Sequence, residues 1–210
     1  PSDTVLAPFS SGTTGRPKCA LLSHDNFNAA TAALKKDFFR HLGDERRATL
    51  AFLPFSHGSG FWALLFSLLE GHHSIIMNEF SIAKMCELIE EHKIDIINVV
   101  PSIAAALVRA PCAMPSVRIV LCGAASLGPE LSSEFLAKFP HVTDLVHGYG
   151  MTEVVVLSHL CPRGIPLPGR LGSCGRLLSG FEAKIIDESG KEVGENERGE
   201  LCLRGRAVFK

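Results

Sequence analysis

Ile94-Asp95-Ile96-Ile97-Asn98-Val99-Val100 is the stretch on which the fold turns. It is short, rich in β-branched side chains and almost free of charge, the pattern of a strand buried on both faces. Working outward, similar runs recur at 49–53, 74–77, 117–122 and 142–146. Amphipathic stretches lie between them. Residues 81–92 set Ile82, Met85, Leu88 and Ile89 on one side and Lys84, Glu87, Glu90 and Glu91 largely on the other. Residues 128–139 place Pro129 in a first helical turn, Leu131, Phe135 and Phe139 on a stripe, and Pro140 as the stop. Strand and helix alternating in this way predict an α/β fold, a mainly parallel sheet flanked by helices with right-handed crossovers.

Toward the C-terminus the pattern changes. Residues 169–210 are rich in glycine and carry strand-sized runs at 182–186 and 200–204, with Asp187-Glu188-Ser189-Gly190 reading as a hairpin turn. The division expected is an α/β core over 1–168, with 162–169 as a Pro- and Gly-rich linker, and the start of a β-rich, barrel-like subdomain over 169–210.

The whole chain of 210 residues has 46% hydrophobic and 20% charged side chains, enough apolar material for a sizeable core. Lys and Arg total 21 against 22 Asp and Glu, a net charge of −1, which argues against a nucleic-acid binder. Apart from Ser67, the longest apolar stretch is 61–69, far short of the ~20 residues that span a bilayer. Seven cysteines, at 19, 86, 112, 122, 161, 174 and 202, form no CxxC pair. They read as reduced thiols of an intracellular protein, in the cytoplasm or the peroxisome. A start at Pro1 and a stop at Lys210 just after a strand-like run read as a segment of a longer protein.

Chemistry concentrates first in Ser10-Ser11-Gly12-Thr13-Thr14-Gly15-Arg16-Pro17-Lys18. Glycines let backbone N–H groups approach oxygens, hydroxyls donate and Lys18 adds charge, so the segment can cradle phosphate, although a solvated loop has a similar composition. It is no Walker A loop: Pro17 precedes Lys18, Cys19 follows it, and an apolar run intervenes before Ser23-His24-Asp25 caps the helix over 26–40. Three further polar segments follow strand runs and fall on the carboxyl-end rim where open α/β sheets bind ligands. They are His57, Gly123, and the turn from Gly148 to Glu153.

Together the motifs resemble the adenylate-forming superfamily of acyl-CoA synthetases, 4-coumarate–CoA ligases, beetle luciferases and nonribosomal adenylation domains. The resemblance runs through Ser10 to Lys18, Leu53-Pro54-Phe55-Ser56-His57-Gly58, Cys122-Gly123-Ala124-Ala125-Ser126-Leu127-Gly128, His147-Gly148-Tyr149-Gly150-Met151-Thr152-Glu153 and Gly199-Glu200-Leu201-Cys202-Leu203-Arg204-Gly205, in family order. It implies an acid–thiol ligase: a carboxylic acid and ATP give acyl-adenylate and pyrophosphate, and CoA then takes the acyl group. By resemblance, Ser10, Ser11, Gly12, Thr13, Thr14, Gly15 and Lys18 would hold the β- and γ-phosphates. Thr152 would meet the α-phosphate, and Glu153 would hold Mg²⁺, a hard cation that prefers oxygen ligands. Gly123, Ala124, Ala125, His147, Gly148, Tyr149, Gly150 and Met151 would surround adenine, Tyr149 stacking on it. His57 would orient the carboxylate, making His57, Lys18, Thr152 and Glu153 the expected catalytic set.

Phe61, Trp62 and their neighbours read as pocket wall or helix core, with core favoured, and His72 and His73 as ordinary histidines without metal-ligand spacing. Cys19, Ser126, Ser59 and His147 depart from the family pattern, and the last two are expected to face the acyl group. The family's ribose-binding Asp, mobile C-terminal lid and adenylation Lys match nothing up to Lys210, so little turnover is expected from these residues alone. A luciferase-like oxygenase uses the same first half-reaction, and a non-catalytic nucleotide-binding module is the remaining alternative.

Overall fold

The computed structural model describes residues 2–10, 16–43, 46–164 and 170–209. Two small antiparallel pairs open the chain: β1 (Thr4–Leu6) with β4 (Leu22–Ser23), and β2 (Phe9–Ser10) with β3 (Lys18–Cys19). Helix α1 (His24–Asp37) follows directly. Ser23 caps it, accepting from the Asn26 N–H while the Asn26 side chain accepts from the Ser23 N–H. The helix ends sooner than the sequence pattern suggests, and the chain tightens into a 3₁₀ turn over Phe39–His41.

Next come β5 (Ala48–Ala51), α2 (Gly58–Leu69), β6 (His73–Ile76), α3 (Ile82–Glu91), β7 (Ile96–Val99), α4 (Pro101–Arg109), β8 (Ile119–Cys122), α5 (Pro129–Lys138) and β9 (Asp144–Tyr149). All five strands are parallel, as the sequence predicts. Two short antiparallel strands, β10 (His159–Leu160) and β11 (Arg176–Leu177), complete a seven-stranded sheet of order β11-β10-β9-β8-β7-β5-β6. Strand β9 runs three residues past the predicted end because Gly148 and Tyr149 pair with Leu160 and His159. Gly148 and Tyr149 are therefore strand residues, not part of a turn.

Both faces of the sheet are covered. Leu50, Ile97, Val99, Val120 and Leu145 pack on one side with Met85, Leu107 and Phe135 from α3, α4 and α5. Ile96, Ile119 and Val146 point the other way, toward Ala30 and Leu34 of α1 and Trp62 and Phe66 of α2. Neighbouring residues thus serve opposite cores, which is why the runs show no polar alternation. Each such residue fully buried contributes about 1.5–3 kcal/mol. Helix α3 is capped by Ser81, and α5 has the predicted Pro129 in its first turn after Gly128.

The last pair, β12 (Phe181–Ile186) with β13 (Glu200–Gly205), is antiparallel in full register. Asp187 does make the predicted turn, accepting from the N–H groups of Ser189 and Lys191, but the chain returns onto Glu192 and not straight into β13. Asn26 holds this region to α1 by donating to the carbonyls of Arg206 and Val208, each over 2.7 Å. Among the described residues no helix is long and apolar enough to cross a membrane.

Candidate active site

The chain leaves β5 toward β6 on one side and reaches β7 on the other, so the strand order reverses between β5 and β7. At such a reversal the loops beyond the carboxyl ends diverge and leave a crevice. A cavity of about 770 Å³ opens there and continues down between the sheet and α2, within the usual range for small-molecule sites.

Ser10 and Lys18 face each other across the β2–β3 pair at the base of the first motif, and both line the cavity. Ser11, Gly12, Thr13, Thr14 and Gly15 lie outside the described residues. Opposite stands a 3₁₀ turn over Thr152–Val154, whose Thr152 and Glu153 also line the mouth. Ser10 Oγ donates to Glu153 Oε1 over 2.7 Å, joining segments 143 residues apart. Glu153 Oε2 has no hydrogen bond to a described residue. The Glu153 carbonyl accepts from the Phe209 N–H at 2.8 Å, tying the turn to the end of the described chain.

Immediately after this turn Val155 adopts φ 72°, ψ −58°, and the Val156 N–H reaches back to the Val154 carbonyl at 2.9 Å. This is the rare, strained hand of γ-turn, and in a β-branched residue it costs on the order of 1–3 kcal/mol. The buried Val155 side chain packs in the core and forms cavity wall beside α2. Gly150 passes beneath the turn so closely that a Cβ would lie 1.8 Å from the Val156 carbonyl oxygen.

His57 is the N-cap of α2. Its Nδ1 accepts from the Ser59 N–H at 3.2 Å and lies 2.9 Å from Ser59 Oγ. Accepting at Nδ1 leaves the proton of a neutral ring on Nε2, so the free nitrogen is a hydrogen-bond donor. Ser59 lines the cavity as expected, with its hydroxyl turned to His57.

On the adenine-side loop, Gly123 lies under the Gly148 carbonyl, and Ala124 has φ 67°. His147 departs from its expected position. It is buried and absent from the cavity wall, with Nδ1 3.0 Å from the Ser173 carbonyl and Nε2 3.2 Å from that of Ala125. The ring props the loop and does not face an acyl group, because the added length of β9 turns it away from α2. Tyr149 keeps a half-exposed ring edge-on to His159, whose pKa burial lowers. Gly148, Gly150 and Met151 line the cavity, whereas Tyr149 and Ala125 do not.

Trp62 sits in the core as expected and has a second role. It belongs to the buried core of α2 and is at once cavity wall, together with Ala63 and Phe66. Thr49, Ser67, His72 and Asn98 also line the cavity and were not anticipated. No motif marks them; only the period-2 alternation of β5 and β7, continued from Leu50 and Ile97, would have aimed Thr49 and Asn98 at α2.

Cys122 ends β8 at the cavity wall, and burial pushes its thiol up to about 12, so it stays protonated at neutral pH. No group of three or more His, Cys, Asp or Glu side chains suited to a metal occurs among the described residues. Mg²⁺ binds through one or two carboxylates together with substrate phosphates, and the Glu153 carboxylate at the cavity mouth, one oxygen free of hydrogen bonds to described residues, is chemically suited to it.

Known proteins share this arrangement. The family model described as AMP-binding enzyme matches residues 1–210. 4-Coumarate–CoA ligase 1 of Oryza sativa subsp. japonica is 35% identical over 222 residues, covering the whole chain and 39% of the relative. The 4-coumarate–CoA ligase of Pinus taeda is 34% identical, with 41% of its length covered. Among solved structures, ATP-bound MatB from Rhodopseudomonas palustris superposes with a TM-score of 0.85 at 27% identity, over the whole chain and 41% of that protein. The Bacillus subtilis o-succinylbenzoate CoA synthetase in complex with ATP and magnesium gives 0.81 at 28%, over the whole chain and 42% of that protein. The chain thus spans about two fifths of the length of these proteins.

Proposed function

The chain belongs to the AMP-binding enzyme family, and from that footing we propose that its protein is an acid–CoA ligase. A carboxylate oxygen attacks the α-phosphorus of ATP, the bond to the β-phosphate oxygen breaks, and pyrophosphate leaves. The CoA thiol, losing its proton, then attacks the acyl carbon and AMP departs.

The barrier in the first step is charge: an anion approaches an anion and more charge gathers on the leaving group. Lys18 sets a cation against the β- and γ-phosphates, with residues 11–15 donating beside it. Thr152 donates to the α-phosphate. His57, its Nδ1 engaged by the helix cap, offers Nε2–H to the acid and fixes the attacking oxygen. Gly123 and Ala124 admit the adenine, and Tyr149 covers it. Glu153 would hold Mg²⁺, which arrives with the triphosphate and neutralises charge on its oxygens.

The observation that carries this reading is the Ser10–Glu153 hydrogen bond. It puts the base of the phosphate-loop motif beside the Thr152–Val154 turn at one cavity mouth. Relatives named as CoA ligases and neighbours solved with ATP support it. The test is acid-dependent ATP–pyrophosphate exchange. Lys18→Ala, Thr152→Ala and Glu153→Gln should each lose about 10²–10³-fold, with unchanged far-UV circular dichroism. Undiminished Mg²⁺-dependent exchange in Glu153→Gln would remove the metal assignment.

A further inference from the structure

The inner end of the cavity differs from its mouth. Thr49 on β5 and Ser74 on β6 are register partners, and Ser67 of α2 lies over both. Thr49 Oγ1 is 2.8 Å from Ser67 Oγ and 3.1 Å from Ser74 Oγ, and Ser74 donates to Ser67 over 2.6 Å. Thr49 and Ser67 are only 5% and 3% exposed, yet both line the cavity. A ring in which each hydroxyl donates once consumes all three protons and leaves acceptor lone pairs.

Two residues beyond Ile96 on the adjoining strand, Asn98 also lines the cavity, and its side chain makes no hydrogen bond to a described residue. Phe38, Phe39, Trp62, Phe66 and Ile96 form the apolar wall around these groups. The three hydroxyls satisfy one another and keep spare acceptor lone pairs at the cavity wall, beside the half-buried Asn98 amide.

We propose that this inner end selects acids bearing a hydroxyl remote from the carboxylate, the hydroxyl donating to the Thr49 and Ser67 oxygens. The inference rests on the acid-activation reading and adds to it a substrate class, the ω-hydroxy acid of extended chain. Between Val100 and Ile96 the cavity follows β7 down four residues, roughly 13 Å, a depth suited to a medium-length acyl tail. A second carboxylate does not fit. Lys18, at the mouth, is the one Lys or Arg among the described lining residues. His72 lines the inner end, where burial lowers its pKa against the opposing charges of Asp95 and Glu70, so it is a neutral ring at pH 7.

Trp62 is the sole tryptophan of the sequence and borders the cavity, so its emission reports acid binding without turnover. Titration of the chain should give 10-hydroxydecanoate a Kd lower than that of decanoate by about tenfold or more, the factor expected of one well-made hydrogen bond. Thr49→Val should bring the ratio near one, while Thr49→Ser, which keeps the hydroxyl, should preserve it. Equal affinities in the unaltered chain, a ratio indifferent to Thr49→Val, or no saturable change with either acid would overturn the proposal. Pyrophosphate exchange with both acids reads the activation step separately. Selective binding without exchange would sink acid activation and leave the hydroxyl selection standing; exchange responding equally to both acids would do the reverse.

Discussion

His57 gives one ring nitrogen to the helix cap, and on the proposed function the other meets the acid; substitutions can separate the two roles. Asn is among the best helix caps. His57→Asn should therefore leave the melting temperature nearly unchanged while lowering acid-dependent exchange about 10²-fold through loss of Nε2–H. His57→Ala should lower both, with a stability loss of about 1 kcal/mol. Thermal unfolding beside exchange assays tells them apart. Asp144 shows the opposite emphasis. Burial alone would raise its pKa, but Arg163, reaching both carboxylate oxygens at 3.0 and 2.8 Å, and the Gly164 N–H outweigh burial and hold it below the ordinary carboxylate value. Asp144→Asn leaves Arg163 without its counter-charge and should cost about 3 kcal/mol, a fall in melting temperature of about 6–12 °C at this chain length. A depressed carboxyl pKa contributes stability above its unfolded value and loses it as pH falls through the folded one. The stability gap between the unaltered chain and the Asp144→Asn variant should hold from pH 5 to 8 and close below about pH 4; urea melts across that range measure it. His57 was legible in the sequence because a motif surrounds it. The hydrogen bond its partner Ser59 makes to it was not, since a hydroxyl two residues into a helix says nothing about where it points.

Five parallel strands were legible for a simple reason: burial on both faces leaves no room for charge, so each strand stands out as an uninterrupted run. Their ends were not, because pairing sets them. Gly148 and Tyr149 look like turn residues until β10 lies alongside, and two-residue strands such as β10 and β11 carry no periodicity at all. Helix α2 was legible only in part. Core and cavity wall are equally apolar, so Trp62 and Phe66 could not be assigned to one or the other from composition. Helix α1 supports a prediction of its own. Asn26 completes its capping box and donates to two carbonyls near the end of the described chain. Asn26→Ala would strip those part-buried acceptors of their donor and break the capping box, and should cost about 1–3 kcal/mol, with faster amide hydrogen exchange at 206–209 and at the Thr152–Val154 turn that Phe209 braces. Unchanged exchange there would show that the C-terminal region is held by other means.

At the scale of the molecule, the reversal of strand order places the cavity, and the doubly covered sheet makes it rigid enough to hold strain at Val155. Two cores, one on each face, mean that the site and much of the stability draw on different residues. Saturating Mg²⁺–ATP should stabilise the fold by mass action, about 2.7 kcal/mol at a hundredfold excess over Kd. That corresponds to a rise of roughly 5–11 °C in melting temperature, abolished by Lys18→Ala, and scanning calorimetry would record both. The bond from Ser10 to Glu153 also has a bearing on time. Closing so long a stretch of chain is entropically among the last steps available to a folding polypeptide. A nascent chain halted before Glu153 emerges could have most of its parallel strands in place and still have nowhere to grip a triphosphate. On the proposed function, nucleotide affinity would therefore be switched on only when the two distant segments meet.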